Sequence, residues 1–122
     1  MNNSDKKILI IDNDEMTIEI LKFILKREGY KISIAKDGIS ALERIPIIMP
    51  DMVITTITIP LKSGLEIINE IKQNFKNIRV IALSSLGEEE NTVEEAFQLG
   101  VDDFIAKPFN PNELLLRIKR FL

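Results

Sequence analysis

Residues 50–60 read Pro50-Asp51-Met52-Val53-Ile54-Thr55-Thr56-Ile57-Thr58-Ile59-Pro60. The run is apolar and β-branched, which suits a pleated strand. It does not alternate with polar residues, so both faces of that strand should be covered, as in a parallel sheet. Pro60 stops it, having no N–H to give to a sheet ladder. In open parallel sheets the carboxyl end of a strand is where ligands bind. Here that end carries Thr55 and Thr56, and no strong acid, base or nucleophile.

Similar apolar runs recur on either side. Lys7–Ile11 (KILII) reads as a first strand, Ile32–Ala35 as a second, Met52–Thr55 as the third, Val80–Leu83 as a fourth and Phe104–Ala106 as a fifth. Helical patterns fill the intervals. Met16, Ile20 and Ile24 recur at helical spacing and Gly29 supplies a left-handed stop. Ile39, Leu42 and Ile45 predict a short helix that ends before Pro46. Ser63-Gly64-Leu65-Glu66 is a capping box, opening a helix with Leu65, Ile68, Ile71 and Phe75 on one face. A fourth helix runs from about Glu89 to Leu99, stopped by Gly100. Asn110-Pro111-Asn112-Glu113 joins an N-cap, a proline at the first helical position and a glutamate three residues on, and starts the last helix. A βα unit repeated five times without a linker predicts one α/β domain over residues 1–122. Its architecture is a flavodoxin-like, doubly wound five-stranded parallel sheet, (βα)5, with helices on both faces.

Composition removes several classes of function. The 122 residues are 45% hydrophobic and 29% charged, with a net charge of −3, ordinary for a soluble globular chain and without a basic footprint for direct nucleic-acid binding. No segment has the length and apolarity of a signal peptide or membrane span, and cysteine is absent, so the expected location is the cytoplasm, away from membranes. Histidine is absent too, which removes the commonest general base and any Ser-His-Asp triad. Neither GxGxxG nor GxxxxGK[ST] occurs, which argues against nucleotide binding.

The strand ends bring together a small set of polar residues. The first delivers Asp12-Asn13-Asp14-Glu15, the third Thr55-Thr56, the fourth Ser84-Ser85 and the fifth Lys107-Pro108. With ILIIDND, PDMVITTITIPLKSG, IALSS and DDFIAKPF in this order, nearly the whole chain resembles a response-regulator receiver domain. The closing GVDDFIAKPFNPNELLLRIKRFL is most similar to the branch that continues into a winged-helix DNA-binding domain.

The resemblance implies roles only where residues match. Asp12 matches an acid that helps hold Mg2+, Ser84 the hydroxyl that bonds the phosphoryl group, Lys107 the lysine that pairs with it, and Phe104 the aromatic switch residue. Pro108 would follow a cis peptide bond. Two positions depart from the pattern: Asn13 stands where a second metal-binding acid is expected, and Thr56 where the phosphoacceptor aspartate is expected. Asp51 cannot replace it, because it begins the strand about 16 Å from the strand's end.

The usual receiver pocket, with three carboxylates and a lysine, carries about −2 and attracts a hard cation. The matched positions here leave Asp12 and Lys107, a net of zero. Mg2+ binding is therefore expected to be weak or absent, with Asp12 and Asp14 as the only weak ligands, and Asp14 better suited to the helix terminus beside it. Thr56 has no base to activate it. It reads as a β-branched residue filling the acceptor position with a hydrogen-bonded hydroxyl. Asp12 and Lys107 read as an ion pair, Ser84 as a loop hydroxyl, Phe104 as core, and Glu88-Glu89-Glu90 with Glu94-Glu95 as a solvated helix face.

These readings converge on a non-enzymatic pseudo-receiver that signals through protein partners, a histidine kinase or an output domain, without aspartyl phosphorylation. The resemblance also implies a homodimer through the fourth helix, fifth strand and fifth helix, where Asp102, Asp103, Glu113 and Arg117 resemble charged residues of that face. The fourth helix, however, has no Lys or Arg to answer Glu113. Two other readings fit the same residues: a receiver that takes phosphate at a different residue, and a receiver cut from a longer DNA-binding regulator.

Overall fold

A computed structural model describes residues 5–85 and 90–122. The element order is β1 (Lys7–Ile11), α1 (Glu15–Arg27), β2 (Lys31–Ala35), α2 (Gly38–Ile48), β3 (Met52–Thr56), α3 (Gly64–Asn74), β4 (Arg79–Ser84), α4 (Glu90–Gln98), β5 (Asp103–Ala106) and α5 (Pro111–Phe121). All strand pairs are parallel, in the order β2-β1-β3-β4-β5. The chain winds one way from β1 to β2 and the other way from β3 onward. The reversal lies between β1 and β3, and the crevice opens at their carboxyl ends.

The unbroken apolar runs follow from cover on both faces of the sheet. Leu9, Ile11, Val53, Val80 and Ala82 point to one side and pack with Ala41 and Ile45 of α2, Ile67, Ile68 and Ile71 of α3, and Ala96 of α4. Ile8, Ile10, Met52, Ile54, Ile81 and Leu83 point to the other, against Leu21, Ile24 and Leu25 of α1 and Leu114 and Ile118 of α5. Alternate residues of each strand thus enter different cores, at roughly 1.5–3 kcal/mol for each large side chain buried. All five residues of β3 are buried, its two threonines included.

Local signals set the helix ends. Asp14, Asp37, Ser63 and Asn110 are N-caps whose side chains accept from backbone N–H groups of the first turn, Ser63 within a complete capping box. Such caps contribute about 1 kcal/mol each. Gly29 and Gly100 take the left-handed conformation, with φ of 94° and 101°.

Three expectations need correction. In α1 the core face is Thr17, Ile18, Leu21, Ile24 and Leu25, while Met16 and Ile20 are 73% and 41% exposed. The helix carries two apolar stripes of equal spacing, and docking on the sheet, not periodicity, selects between them. The second helix does not stop before Pro46 but continues to Ile48. Pro46 falls in the last turn of the helix, so its missing N–H and the crowding of its ring against the carbonyl four residues back disturb only the end of the ladder. The last turn is held by Met49 N–H donating to the Ile45 carbonyl at 2.7 Å, with Met49 left-handed at φ 48°, and Lys7 Nζ donates to the Ile48 carbonyl at 3.4 Å. Ile39, expected on the inner face of that helix, is exposed. In the acidic run, Glu94 and Glu95 are exposed as expected, whereas Glu88, Glu89 and the side chain of Glu90 lie outside the described residues.

Candidate functional site

Asp12 follows β1 directly and is 2% exposed. Its backbone N–H donates to the carbonyl of Ala35, the last residue of β2, at 3.1 Å, which holds it at the floor of the crevice. Both carboxylate oxygens are engaged. Oδ1 accepts from the Asp14 N–H at 3.0 Å, and Oδ2 accepts from Lys107 Nζ at 3.0 Å. Lys107 comes from the far side of the crevice, after β5. Its N–H donates to the Ser84 carbonyl at 2.7 Å, and the Lys107–Pro108 peptide is cis. The expected ion pair is therefore present as a direct contact.

Thr56 ends β3 at 2% exposure. Its carbonyl accepts from the Thr55 hydroxyl at 2.9 Å. Just beyond, Ile57 N–H donates to the Leu83 carbonyl at 3.2 Å, and Gly64 N–H donates to the Ile57 carbonyl at 2.7 Å. A Cβ on Gly64 would lie 2.3 Å from the Thr56 carbonyl oxygen, so only glycine lets α3 start this close to β3. The Thr56 hydroxyl was expected to be hydrogen-bonded. Among the described residues no protein group hydrogen-bonds to it. Asp51 is at the other end of the strand, its carboxylate accepting from Lys7 N–H at 2.8 Å.

The remaining polar residues are peripheral to the pair. Ser84 is buried, and its hydroxyl donates to the Ser85 carbonyl at 3.2 Å. Asn13 is exposed. Asp14 caps α1, accepting from the Thr17 hydroxyl at 2.5 Å and the Thr17 N–H at 3.3 Å. The Thr17 hydroxyl bond is the main cause holding the Asp14 carboxyl below its ordinary 3.8, with the Thr17 N–H and Lys107 acting in the same direction against desolvation. Phe104 packs beside Phe97, ring centroids 6.4 Å apart, against the core on the α2–α4 side.

Mg2+ requires several free, converging oxygens, preferably from carboxylates. Asp12 has given one oxygen to Lys107 and the other to a backbone N–H, and Asp14 gives Oδ2 to Thr17. No group of three acids converges among the described residues. This donor set does not fit the ion.

The charged residues assigned to one interaction face divide into two groups. Arg117 donates to Asp103 at 3.0 and 3.2 Å and to Glu113 at 2.8 Å. The bond to Glu113, followed by the charge of Asp103, raises its pKa. Asp102 does not join them. At the amino end of β5 it accepts from Lys72 at 2.7 Å, from Arg79 at 3.2 Å and from the Val80 N–H at 2.7 Å, tying α3 to β4. Adjacent residues at a strand start point to opposite faces, which separates Asp102 from Asp103.

Sequence reasoning missed a hollow of about 530 Å³ beside Lys107, walled by Met16 and Ile20 of α1 and by Pro108, Phe109 and Pro111. Its signal was present in the second apolar stripe of α1, assigned there to the core.

The family model for the response regulator receiver domain matches residues 8–119. The chain is 32% identical over 118 residues to the alkaline phosphatase synthesis transcriptional regulatory protein PhoP of Bacillus subtilis, covering 97% of this chain and 49% of that protein. It thus spans about half the length of this curated relative. A response regulator receiver domain protein from Clostridium thermocellum superimposes with a TM-score of 0.87 at 28% identity, covering 95% of this chain and 93% of the other. A CheY-like receiver domain protein from Methanospirillum hungatei gives 0.87 at 30% identity, covering 94% and 91%.

Proposed function

The chain belongs to the response-regulator receiver family, and we propose that within it this protein signals by protein–protein contact without forming an aspartyl phosphate. Receiver domains are modules of two-component signalling that work with histidine kinases and output domains. The observation that carries the proposal is the closed pair of Asp12 and Lys107 beside a buried threonine. In a phosphate-accepting crevice the lysine must be available to the incoming phosphoryl oxygens and the acids to a cation. Here each is the other's partner, and position 56 offers a hydroxyl in place of a carboxylate, beside an Asp12 already held by Lys107.

The protein acts, in this reading, as a single cytoplasmic domain of residues 1–122 that holds no Mg2+; none of the described helices is long and apolar enough to cross a membrane. A second reading, in which the domain heads a longer DNA-binding regulator, is favoured by its likeness to half of a transcriptional regulatory protein. In that setting output would follow from the presence of the domain and its contacts, not from phosphate. A symmetric pair through α4, β5 and α5 would need charges free to cross between copies, but Arg117 is already held by Asp103 and Glu113.

Thermal unfolding with and without millimolar Mg2+ and acetyl phosphate tests the proposal. The midpoint should not move. A rise that depends on both components would overturn the reading.

A further inference from the structure

The helices run opposite to the strands, so strand starts and helix carboxyl termini share one end of the domain, away from the crevice. That end is basic, although the chain carries a net charge of −3. Lys26 and Arg27 close α1, Lys119 and Arg120 close α5, and Lys7, Lys31 and Arg79 open β1, β2 and β4. Its acids are mostly answered within the chain. Asp51 accepts the Lys7 N–H at 2.8 Å, Asp102 pairs with Lys72 and Arg79, and Glu28 pairs with Lys119 at 2.8 Å. Asp5 is the exposed exception. Bases in a last helical turn answer the helix dipole. Lys31 is on a strand, is exposed, and has no acidic partner among the described residues.

Beside these bases the end of α2 is uncharged. Residues Ile45-Pro46-Ile47-Ile48-Met49-Pro50 carry no polar side chain, and Ile47 and Met49 are 82% and 54% exposed. Lys7 Nζ donates to the Ile48 carbonyl at 3.4 Å, and Lys7 stands opposite Lys31 in the β1–β2 register. Along β1, Lys7 shares its side of the sheet with Leu9 and Ile11, the side that α2 covers. The two lysines and the two apolar tips thus belong to one patch.

We propose that this end of the domain rests on an anionic lipid surface. Ile47 and Met49 enter the boundary between headgroups and acyl chains, and Lys7, Lys31 and the helix-end bases meet the lipid charges. A second copy of the same end would set lysines against lysines. Nucleic acid would answer the bases but leave Ile47 and Met49 against phosphates. A helical peptide partner is held in a groove, whereas these tips project. A bilayer accepts projecting apolar tips at its interface and basic residues at its headgroups, and needs no spanning helix to do so. Bound in this way, the domain keeps the Asp12–Lys107 crevice, at its opposite end, in the aqueous phase. The inference does not depend on whether the crevice accepts phosphate.

Co-sedimentation of the 122-residue chain with vesicles tests this. One set is phosphatidylcholine alone, the other equal parts phosphatidylcholine and phosphatidylglycerol. Binding to the anionic set should be at least about tenfold tighter, and should weaken as salt is raised. Lys31→Gln should weaken it about fivefold, the share of one base near such a surface. Ile47→Ser should weaken it at least about tenfold, through the lost apolar burial. Lys36→Gln, just beyond the carboxyl end of β2, should change it by less than about twofold. All three side chains are exposed, and circular dichroism verifies that each variant is folded. A chain that binds neither set, or both equally, overturns the proposal. So does anionic binding that Ile47→Ser leaves unchanged, or that Lys36→Gln weakens as much as Lys31→Gln. Retention of duplex DNA without vesicle binding would assign the basic end to nucleic acid and overturn it as well.

Discussion

Lys107 Nζ lies 3.0 Å from Asp12 Oδ2, joining the ends of β5 and β1 across the crevice with a pair that is nearly removed from water on the aspartate side. A buried carboxylate left without its cation is costly, whereas replacing both partners is not. Lys107→Ala should therefore destabilise the fold by about 2–3 kcal/mol, below the range for fully buried pairs because the lysine side chain keeps 17% exposure. The double variant Asp12→Asn, Lys107→Met should recover most of the loss. Urea titrations of the three proteins measure this. A Lys107→Ala variant as stable as the parent would mean that the contact carries no structural role.

Thr56 gives the opposite expectation. Its hydroxyl is buried and no bond reaches it among the described residues. A polar group buried without a partner is a penalty that valine, of similar shape, removes. Thr56→Val should leave stability unchanged or raise it by up to about 1 kcal/mol. A loss larger than that in the same urea assay would reveal a partner for the hydroxyl.

Tyr30 provides an internal probe of burial, being the sole tyrosine in a chain without tryptophan. Desolvation pushes its pKa above the ordinary 10.0, and Glu28 adds to this while Lys119 opposes it. Ionisation is thus easier in the unfolded chain. The resulting stabilisation is complete below pH 10.0 and is lost as pH rises from there through the folded-state value. Tyrosinate absorbance should titrate above 10.0 in the native protein and return to the ordinary value in denaturant. A native midpoint at or below the ordinary value would contradict this account of its burial.

The sheet, its order and the crevice were legible because each depends on apolar continuity and on caps that act locally, as at Ser63 and Asn110. Asp12, Thr56, Ser84 and Lys107 could be placed at strand ends for the same reason. What sequence could not decide were choices made by tertiary packing. Two stripes of α1 satisfy the same period, and only docking on the sheet left Met16 and Ile20 outside. Pro46 is a stop signal that, in the last turn of a helix, disturbs only the end of the ladder. Asp102 and Asp103 are neighbours in sequence, yet the pleat sends one toward Lys72 and the other toward Arg117.

The central claim is that this crevice is a receiver site silenced by two side chains. Asp12, Ser84 and Lys107 already stand at their strand ends, so Asn13→Asp with Thr56→Asp should restore what is missing without rebuilding the backbone. Two more negative charges beside Asp12 should make the double variant less stable without cation and responsive to it. The direct measurement is intact mass after incubation with acetyl phosphate and Mg2+, run on the parent and the double variant side by side. The account predicts no mass gain for the parent, and for the double variant a gain of one phosphoryl group that hydroxylamine removes. A hydroxylamine-sensitive gain on the parent, or a folded double variant that gains nothing, would contradict it.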